Sequence, residues 1–355
     1  MHDGLKQIMF DCERMKYNHT GLYYYCLHLA KNLGRVIDKQ QEALSFYLPA
    51  NAEAALESNA NNITQSSLHK FFLPSLKKYD VWHATYQGTN YFPFKKKIPI
   101  VLTIHDINFM HDPKKVAAKK NKYLQRLEKK IRRADHITAI SQFSLVDLQQ
   151  HIDLQNKPTT VVYNGCNITE IQTLQQPAIL PKKPFLFTVG TIVDKKNFHV
   201  LPALVAKNDM QLFIAGVTES EDYKQKIIVE AKRWNVEDKV IFTGPINEYD
   251  KQWYMKHCDA FVFPSLAEGF GLPVVEAMYF GKPVVISTLS SLPEIGGDGA
   301  YYFKSFDAED MRTVLQDSLE SYRQTNPADK IRQRAKSFDW LHSAKQYLDV
   351  YRTMY

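Results

Sequence analysis

Two glutamates, Glu268 and Glu276, stand eight positions apart around the run Gly269-Phe270-Gly271-Leu272-Pro273-Val274-Val275. The run follows an apolar stretch, residues 260–264, and opens a helical pattern in which Pro273 suits the first position. Gly269 and Gly271 permit backbone shapes closed to other residues. With the free N–H groups of a helix start beside them, they make a concavity for an anion. A diphosphate fits such a place, with Glu268 in the loop and Glu276 in the first helical turn, on opposite sides of it. Each glutamate taken singly has a plainer use: Glu276 can complement the helix dipole and Glu268 can be solvated. A carboxylate pair also serves glycoside hydrolysis. The glycines and the helix start between the two favour a phosphate.

Three other places carry residues suited to a phosphate or a sugar. The apolar run 185–189 ends at Gly190, and Thr191, Lys195, Lys196 and Asn197 come next. A lysine beside a strand-end glycine neutralises a leaving diphosphate, the more so where water is excluded. By itself, a Lys-Lys pair is usually a solvated surface feature. A second run, 101–104, ends in His105-Asp106. The imidazole can bond a hydroxyl and help polarise a reacting centre, and Asp106 either orients it or caps the segment after it. Near the N-terminus, Asn18-His19-Thr20-Gly21-Leu22 lies between a strand and a helix, where Gly21 allows close backbone approach to a phosphate or an acceptor. Ser141 reads as a helix cap and Gly165 as a turn.

These residues need a scaffold that gathers strand ends. Short β-branched and aromatic runs alternate with longer helical patterns, the mark of βαβ units. Strands are expected at 8–12, 44–48, 81–85, 98–105, 136–141 and 159–163, with helices at 22–33, 116–133 and 143–151. Further strands are expected at 185–189, 211–215, 240–243, 260–264, 284–287 and 301–303, with a helix between each pair. A chain of 355 residues is too long for one typical core, so two α/β lobes are expected. Pro177, Pro181 and Pro184 fit an extended connector between them. The domains are read as 1–175 and 176–338, with a helix in 339–355 that could pack back on the first. Open α/β sheets bind ligands beyond the carboxyl ends of their strands, which makes the cleft between two lobes the expected active site.

At this point a resemblance becomes specific. From Glu268 through AMYFGKPVVIS to LPEIGGDGAYYF the chain is similar, over nearly forty residues, to the family-4 retaining glycosyltransferases and their E-x7-E signature. The resemblance implies the GT-B fold: α/β, two facing Rossmann-like domains with parallel sheets. In it the first domain binds the acceptor and the second the nucleotide sugar. It implies that Glu268 touches hydroxyls of the transferred sugar and that Glu276 hydrogen-bonds the ribose. Gly269, Phe270 and Gly271 would cup the sugar and phosphates, with Leu272 and Pro273 setting the geometry. The segment 185–197 resembles the family's glycine-to-lysine element. That makes Lys196 the pyrophosphate lysine, with Lys195, Gly190 and Thr191 in the same donor-binding loop. Many members have arginine where this chain has Thr191, which places more of the phosphate charge on Lys196. His105 matches the family's T-x-H-D histidine beside the donor sugar, so His105, Glu268 and Lys196 are the catalytic candidates. The family often has two glycines at Gly21-Leu22; here only Gly21 remains.

The activity implied is retaining transfer of a hexose from a nucleotide-diphosphate sugar to a glycan or lipid-linked acceptor, in cell-surface polysaccharide or glycoconjugate synthesis. The VGT…KKN form resembles members that use GDP-mannose, so mannose is a candidate sugar; GDP and UDP both remain open. Same-fold alternatives are an epimerase, a phosphorylase or a non-catalytic nucleotide-sugar-binding protein. No Asp-x-Asp triplet occurs, so neither a metal nor a cofactor is expected; the nucleotide sugar is itself the substrate.

Bulk properties narrow the partners. A net charge of +7 suits anionic ones. Between Lys114 and Arg133 ten lysines and arginines face one acid, Glu128, over an apolar stripe at helical spacing. This is either an ordinary surface helix or contact with an anionic membrane surface, which Lys95, Lys96 and Lys97 would extend. No helix-turn-helix or zinc module and no GxGxxG is present, so neither nucleic-acid binding nor dinucleotide oxidoreduction is expected. The absence of a ~20-residue apolar run argues against membrane insertion. Four scattered cysteines suggest reduced thiols. The expected location is cytoplasmic, with peripheral attachment to the inner membrane face as an added expectation.

Overall fold

The computed structural model describes residues 4–17, 20–56 and 62–355. It folds the chain as two units, Met1–Gly165 with Phe338–Tyr355, and Cys166–Ser337. The first runs β1 (Lys6–Asp11), α1 (Gly21–Val36), β2 (Glu42–Leu48), β3 (Ile63–Thr64), β4 (Val81–Ala84), β5 (Ile100–Ile104), α2 (Ala117–Arg133), β6 (His136–Ala139), α3 (Gln142–His151) and β7 (Thr159–Val161). All strands pair in parallel, in the order β3-β2-β1-β4-β5-β6-β7. β4, β5 and β6 are buried at every position. Covered on both faces, they read as continuous apolar runs rather than alternating ones. The strand order reverses between β1 and β4, the point at which an open parallel sheet leaves a crevice beyond its carboxyl ends.

The second unit runs β8 (Phe185–Val189), β9 (Gln211–Ala215), α4 (Glu221–Arg233), β10 (Val240–Gly244), α5 (Glu248–His257), β11 (Ala260–Phe263), α6 (Leu272–Tyr279), β12 (Val284–Ser287), α7 (Leu292–Gly296), β13 (Tyr301–Phe303), α8 (Ala308–Thr325) and α9 (Ala328–Lys336). Its strands are also parallel, ordered β10-β9-β8-β11-β12-β13, so its reversal lies between β8 and β11. The last helix, α10 (Trp340–Arg352), belongs to the first unit.

Several local expectations change. The strand expected at 98–105 is only Ile100–Ile104, which leaves His105 just past its end. The two-residue edge strand β3 is too short to show any periodicity in sequence. The helix expected between β8 and β9 is a 3-10 helix, Phe198–Val205, with Pro202 inside it. Proline lacks the N–H that an α-helical interior requires. The units divide after Gly165 rather than after residue 175. Residues of that stretch are held by α5, where Gln252 donates to the Thr169 carbonyl at 3.0 Å and accepts from the Ile171 N–H at 3.2 Å. The proline-containing connector is tied to the same helix, through Tyr254 Oη donating to the Ile179 carbonyl.

α10 packs against α1 and sends two tyrosines into a buried polar cluster. Tyr25 donates to Tyr347 at 2.8 Å, Tyr351 bonds His83 Nδ1 at 2.6 Å, and His83 Nε2 bonds Thr103 at 2.7 Å. Thr103 and Thr138 complete the cluster at 2.8 Å. Gly165 serves this docking. A Cβ there would lie 2.3 Å from the Trp340 nitrogen, so the glycine permits close approach rather than making the expected turn.

Candidate active site

The crevice of the second unit lies where β8 and β11 part, and the loops after these two strands fill it. They are joined by backbone: the Leu266 N–H donates to the Lys195 carbonyl at 2.8 Å, and Ser265 Oγ donates to the same oxygen at 3.2 Å. That join brings Lys196 Nζ to 2.6 Å from Glu268 Oε1, which also accepts from Ser265 Oγ at 2.6 Å. The two charged side chains are only 11% and 12% exposed. Burial works against the Glu268 carboxylate, but the charges of Lys196 and Lys195 and the bonds from Lys196 and Ser265 outweigh it. The net effect holds its pKa below the usual value. Of the Lys-Lys pair, Lys195 is exposed and Lys196 buried. The Lys196 stem passes Gly190, where an added Cβ would stand 3.3 Å from its Cε. Thr191 lies half-buried in the adjoining loop.

Three glycines shape this end of the sheet. Gly190 and Gly216 come directly after β8 and β9, and Gly244 closes β10. Gly216 has φ 138°, and a Cβ on it would fall 2.0 Å from the Gly190 carbonyl oxygen. Its N–H reaches the Gly244 carbonyl at 2.9 Å. No other residue fits between those two backbones.

The loop after β11 is held from β12. The Glu268 N–H donates to Ser290 Oγ at 3.0 Å, and Ser291 Oγ donates to the carbonyls of Glu268 and Phe270 at 3.1 and 3.0 Å. Phe270 and Gly269 are buried. Gly271, at φ 103°, is the N-cap of α6, and a Cβ on it would meet Leu292 at 2.8 Å. Leu272 is then the first helical residue and Pro273 the second. Glu276 is therefore the fifth residue, in the second turn rather than the expected first, because winding starts directly after the left-handed glycine.

Glu276 is 4% exposed and accepts from Lys251 Nζ at 3.0 Å and from Asn167 Nδ2 at 3.3 Å. Burial lifts its pKa against the pull of Lys251. Burial alone would lower the pKa of Lys251, yet Glu276 and Glu248 together hold it above the usual lysine range. The two glutamates thus have separate lysines, one from the loop after β8 and one from α5. Lys251 and Asn167 went unnoticed in sequence, since neither belongs to a contiguous motif. Ser265, Ser290 and Ser291 also escaped notice, although serines at two neighbouring strand ends were a readable sign.

His105 belongs to the first unit, at the end of β5. Its Nε2–H donates to the Thr85 carbonyl at 2.8 Å, so the neutral ring keeps a lone pair on Nδ1. Tyr25 packs edge-on at 4.6 Å. Burial lowers the imidazole pKa to about 4; the bond to Thr85 resists this and Arg14 adds to it. Asp106 does not orient the ring: its Oδ1 accepts from the Asn108 N–H at 3.0 Å, capping the next turn. Gly21 is the exposed first residue of α1, whose N-cap Thr20 takes the Tyr23 N–H at 3.2 Å. Asn18 and His19 lie outside the described residues. Ser141 caps α3 as read, accepting from the Ser144 N–H.

The basic helix is α2. Leu127 and Ile131 point inward, and so does Lys130, whose Nζ donates to the Gln87 and Thr89 carbonyls at 2.7 Å each. Lys119, Lys122, Arg126, Lys129 and Arg132 remain exposed. Among the described residues no helix is long and apolar enough to cross a membrane.

Two units built on parallel sheets, each with a crevice at its strand reversal, give the chain the GT-B architecture. The chain belongs to the family-4 glycosyltransferases: residues 57–170 match the glycosyltransferase family 4 model, and 170–338 match glycosyl transferases group 1. The O-antigen chain mannosyltransferase B of Escherichia coli is 25% identical, aligned over 98% of this chain and 100% of its own length. The serotype-specific mannosyltransferase WbdA of Escherichia coli is 28% identical over 61% of this chain, which spans only 28% of that longer protein. In fold, Anabaena HepE, solved with UDP and glucose, superposes with a TM-score of 0.72 at 19% identity, over 98% of this chain and 100% of the other.

Proposed function

We propose that this glycosyltransferase moves a hexose, with mannose the first candidate, from a nucleoside-diphosphate sugar to a glycan or lipid-linked acceptor, with retention of configuration and no metal. The observation that carries it is the Lys196–Glu268 pair at 2.6 Å beside the start of α6. A diphosphate on the α6 amides would have Lys196 as its counter-cation, and sugar hydroxyls would meet Glu268. Glu276, held by Lys251 and Asn167, would accept from the ribose hydroxyls. The leaving charge is assigned to Lys196, buried beside the loop, and to the amides at the start of α6.

In the proposed step the bond from the anomeric carbon to the diphosphate oxygen breaks. A bond to the acceptor oxygen forms on the same face, and the acceptor's proton passes to the departing diphosphate. The chain supplies position and electrostatics rather than a nucleophile. His105, neutral with Nδ1 available, would accept from a sugar hydroxyl. The exposed basic face of α2 supports an acceptor presented at an anionic membrane surface.

The donor is tested by incubating the protein with GDP-mannose or UDP-glucose and measuring nucleotide release with and without lipid-linked glycan. Release of GDP that depends on the acceptor is the expected result. Acceptor-independent conversion of the sugar would instead favour an epimerase, and binding without release would favour a carrier.

A further inference from the structure

From Asn62 to Tyr79 the chain contains no aspartate or glutamate. Within it the 3-10 helix Ser67–Lys70 and the two residues after it lift Leu68, Phe71 and Phe72 into solvent, at 68%, 79% and 80% exposure. Lys70, Lys77 and Lys78 are exposed around them. The projection is anchored at its base. Leu76 and Tyr79 are buried in the same core cluster as Tyr91, Phe92 and Ile98, and Leu73 packs against it. Lys70 Nζ lies 6.0 Å from the centre of the Tyr91 ring. The segment that carries the exposed rings is thus tied to the core on its C-terminal side.

The basic surface continues from there. Phe94 is 47% exposed and packs against Phe92 with ring centres 4.8 Å apart and planes tilted by 51°, with exposed Lys95 and Lys97 after it. Arg133, at the end of α2, donates to the carbonyls of Lys96 and Ile98 at 2.6 Å each, which joins this loop to the basic helix. Apolar side chains ringed by cations match the boundary between the acyl chains and phosphates of an anionic bilayer. A second copy of the chain would bring like charges face to face, so self-pairing is the poorer fit.

We propose that Leu68, Phe71 and Phe72 insert into an anionic membrane surface while Lys70, Lys77, Lys78, the 95–97 loop and α2 lie against its phosphates. The inference rests on the membrane-side acceptor reading for its purpose, but binding can be measured with no acceptor present. The protein is floated with vesicles of phosphatidylglycerol and phosphatidylethanolamine, or of phosphatidylcholine alone, at low and high salt. It is expected to float with the anionic vesicles and to be released by salt. Phe71→Ser with Phe72→Ser is expected to weaken partition by about tenfold per ring. Lys70→Gln, Lys77→Gln and Lys78→Gln together are expected to weaken it and flatten its salt dependence. Neither set should change the melting temperature or transfer to a water-soluble acceptor. A protein that stays unbound at low salt overturns the proposal, as does a phenylalanine variant that floats like the parent. A phenylalanine variant that turns a dimer into a monomer without altering flotation assigns the patch to self-association instead. Flotation without any sugar transfer would sink the assigned reaction and leave this surface standing.

Discussion

Lys196 and Glu268 neutralise each other at 2.6 Å, nearly out of water, so a diphosphate bound as proposed would have to draw the ammonium away from a carboxylate. On the proposed roles, Glu268 is a built-in competitor for the phosphate as well as a sugar ligand. Glu268→Gln removes the competing charge and keeps the shape. Nucleoside-diphosphate affinity should then rise by about fivefold, at roughly 1 kcal/mol, while transfer falls at least a hundredfold. Calorimetric titration showing unchanged or weaker binding would count against the competition. His105 gives a pH signature. With its pKa lowered to about 4, it stays neutral through the range where an ordinary imidazole titrates, so the acid limb of activity should not track a histidine midpoint near 6.5. The same shift affects stability. His83 is pushed down to about 3 by burial, with the nearby His105 adding to it, so both rings bind protons more readily unfolded than folded. Their contribution is complete above about pH 6.5 and is lost as pH falls toward 4. Melting temperatures recorded across that window should drop, and a flat profile would refute the assignment.

The glycine closures of β8, β9 and β10 work as one piece. Gly216→Ala would put a methyl group 2.0 Å from the Gly190 oxygen and strain a positive φ, so the two loops must separate. A stability loss of roughly 1–3 kcal/mol is expected, together with weaker diphosphate binding, because Gly190 lies against the Lys196 stem. Gly244→Ala is the useful contrast: nothing lies within 4 Å of its Cβ, although its φ of 72° still disfavours alanine. Urea unfolding of both variants separates contact from backbone strain. The serine ties from β12 to the Glu268 loop have a similar role, since they fix the backbone that carries the carboxylate.

The last eighteen residues, Phe338–Tyr355, complete the first unit although they are remote from it in sequence. They do so through polar contacts buried in its centre. Tyr351→Phe would leave His83 Nδ1 without its 2.6 Å partner at a fully buried site. A cost of about 1–3 kcal/mol is expected in denaturant melts. Arg352 adds a peripheral clamp, with its Nε 2.8 Å from Glu42 Oε1. A variant truncated before Trp340 should therefore lose the fold of the first unit, which limited proteolysis would report.

Much of the site could be read from contiguous residues. Glycine-turn-helix geometry is local, so the loop from Glu268 to Pro273 and the strand ending at Gly190 announced themselves, and most strands could be traced from apolar runs buried on both faces. Every pairing across distance needed the folded chain. The sequence held Lys196 and Glu268 as separate candidates; parallel packing of β8 against β11 made them partners. It offered no sign of Lys251 and Asn167 beside Glu276, of the Thr85 carbonyl that sets the tautomer of His105, or of the burial that keeps that ring neutral. Dihedral preferences and hydrophobic period act over a few residues, whereas charge pairing and desolvation depend on which strands become neighbours.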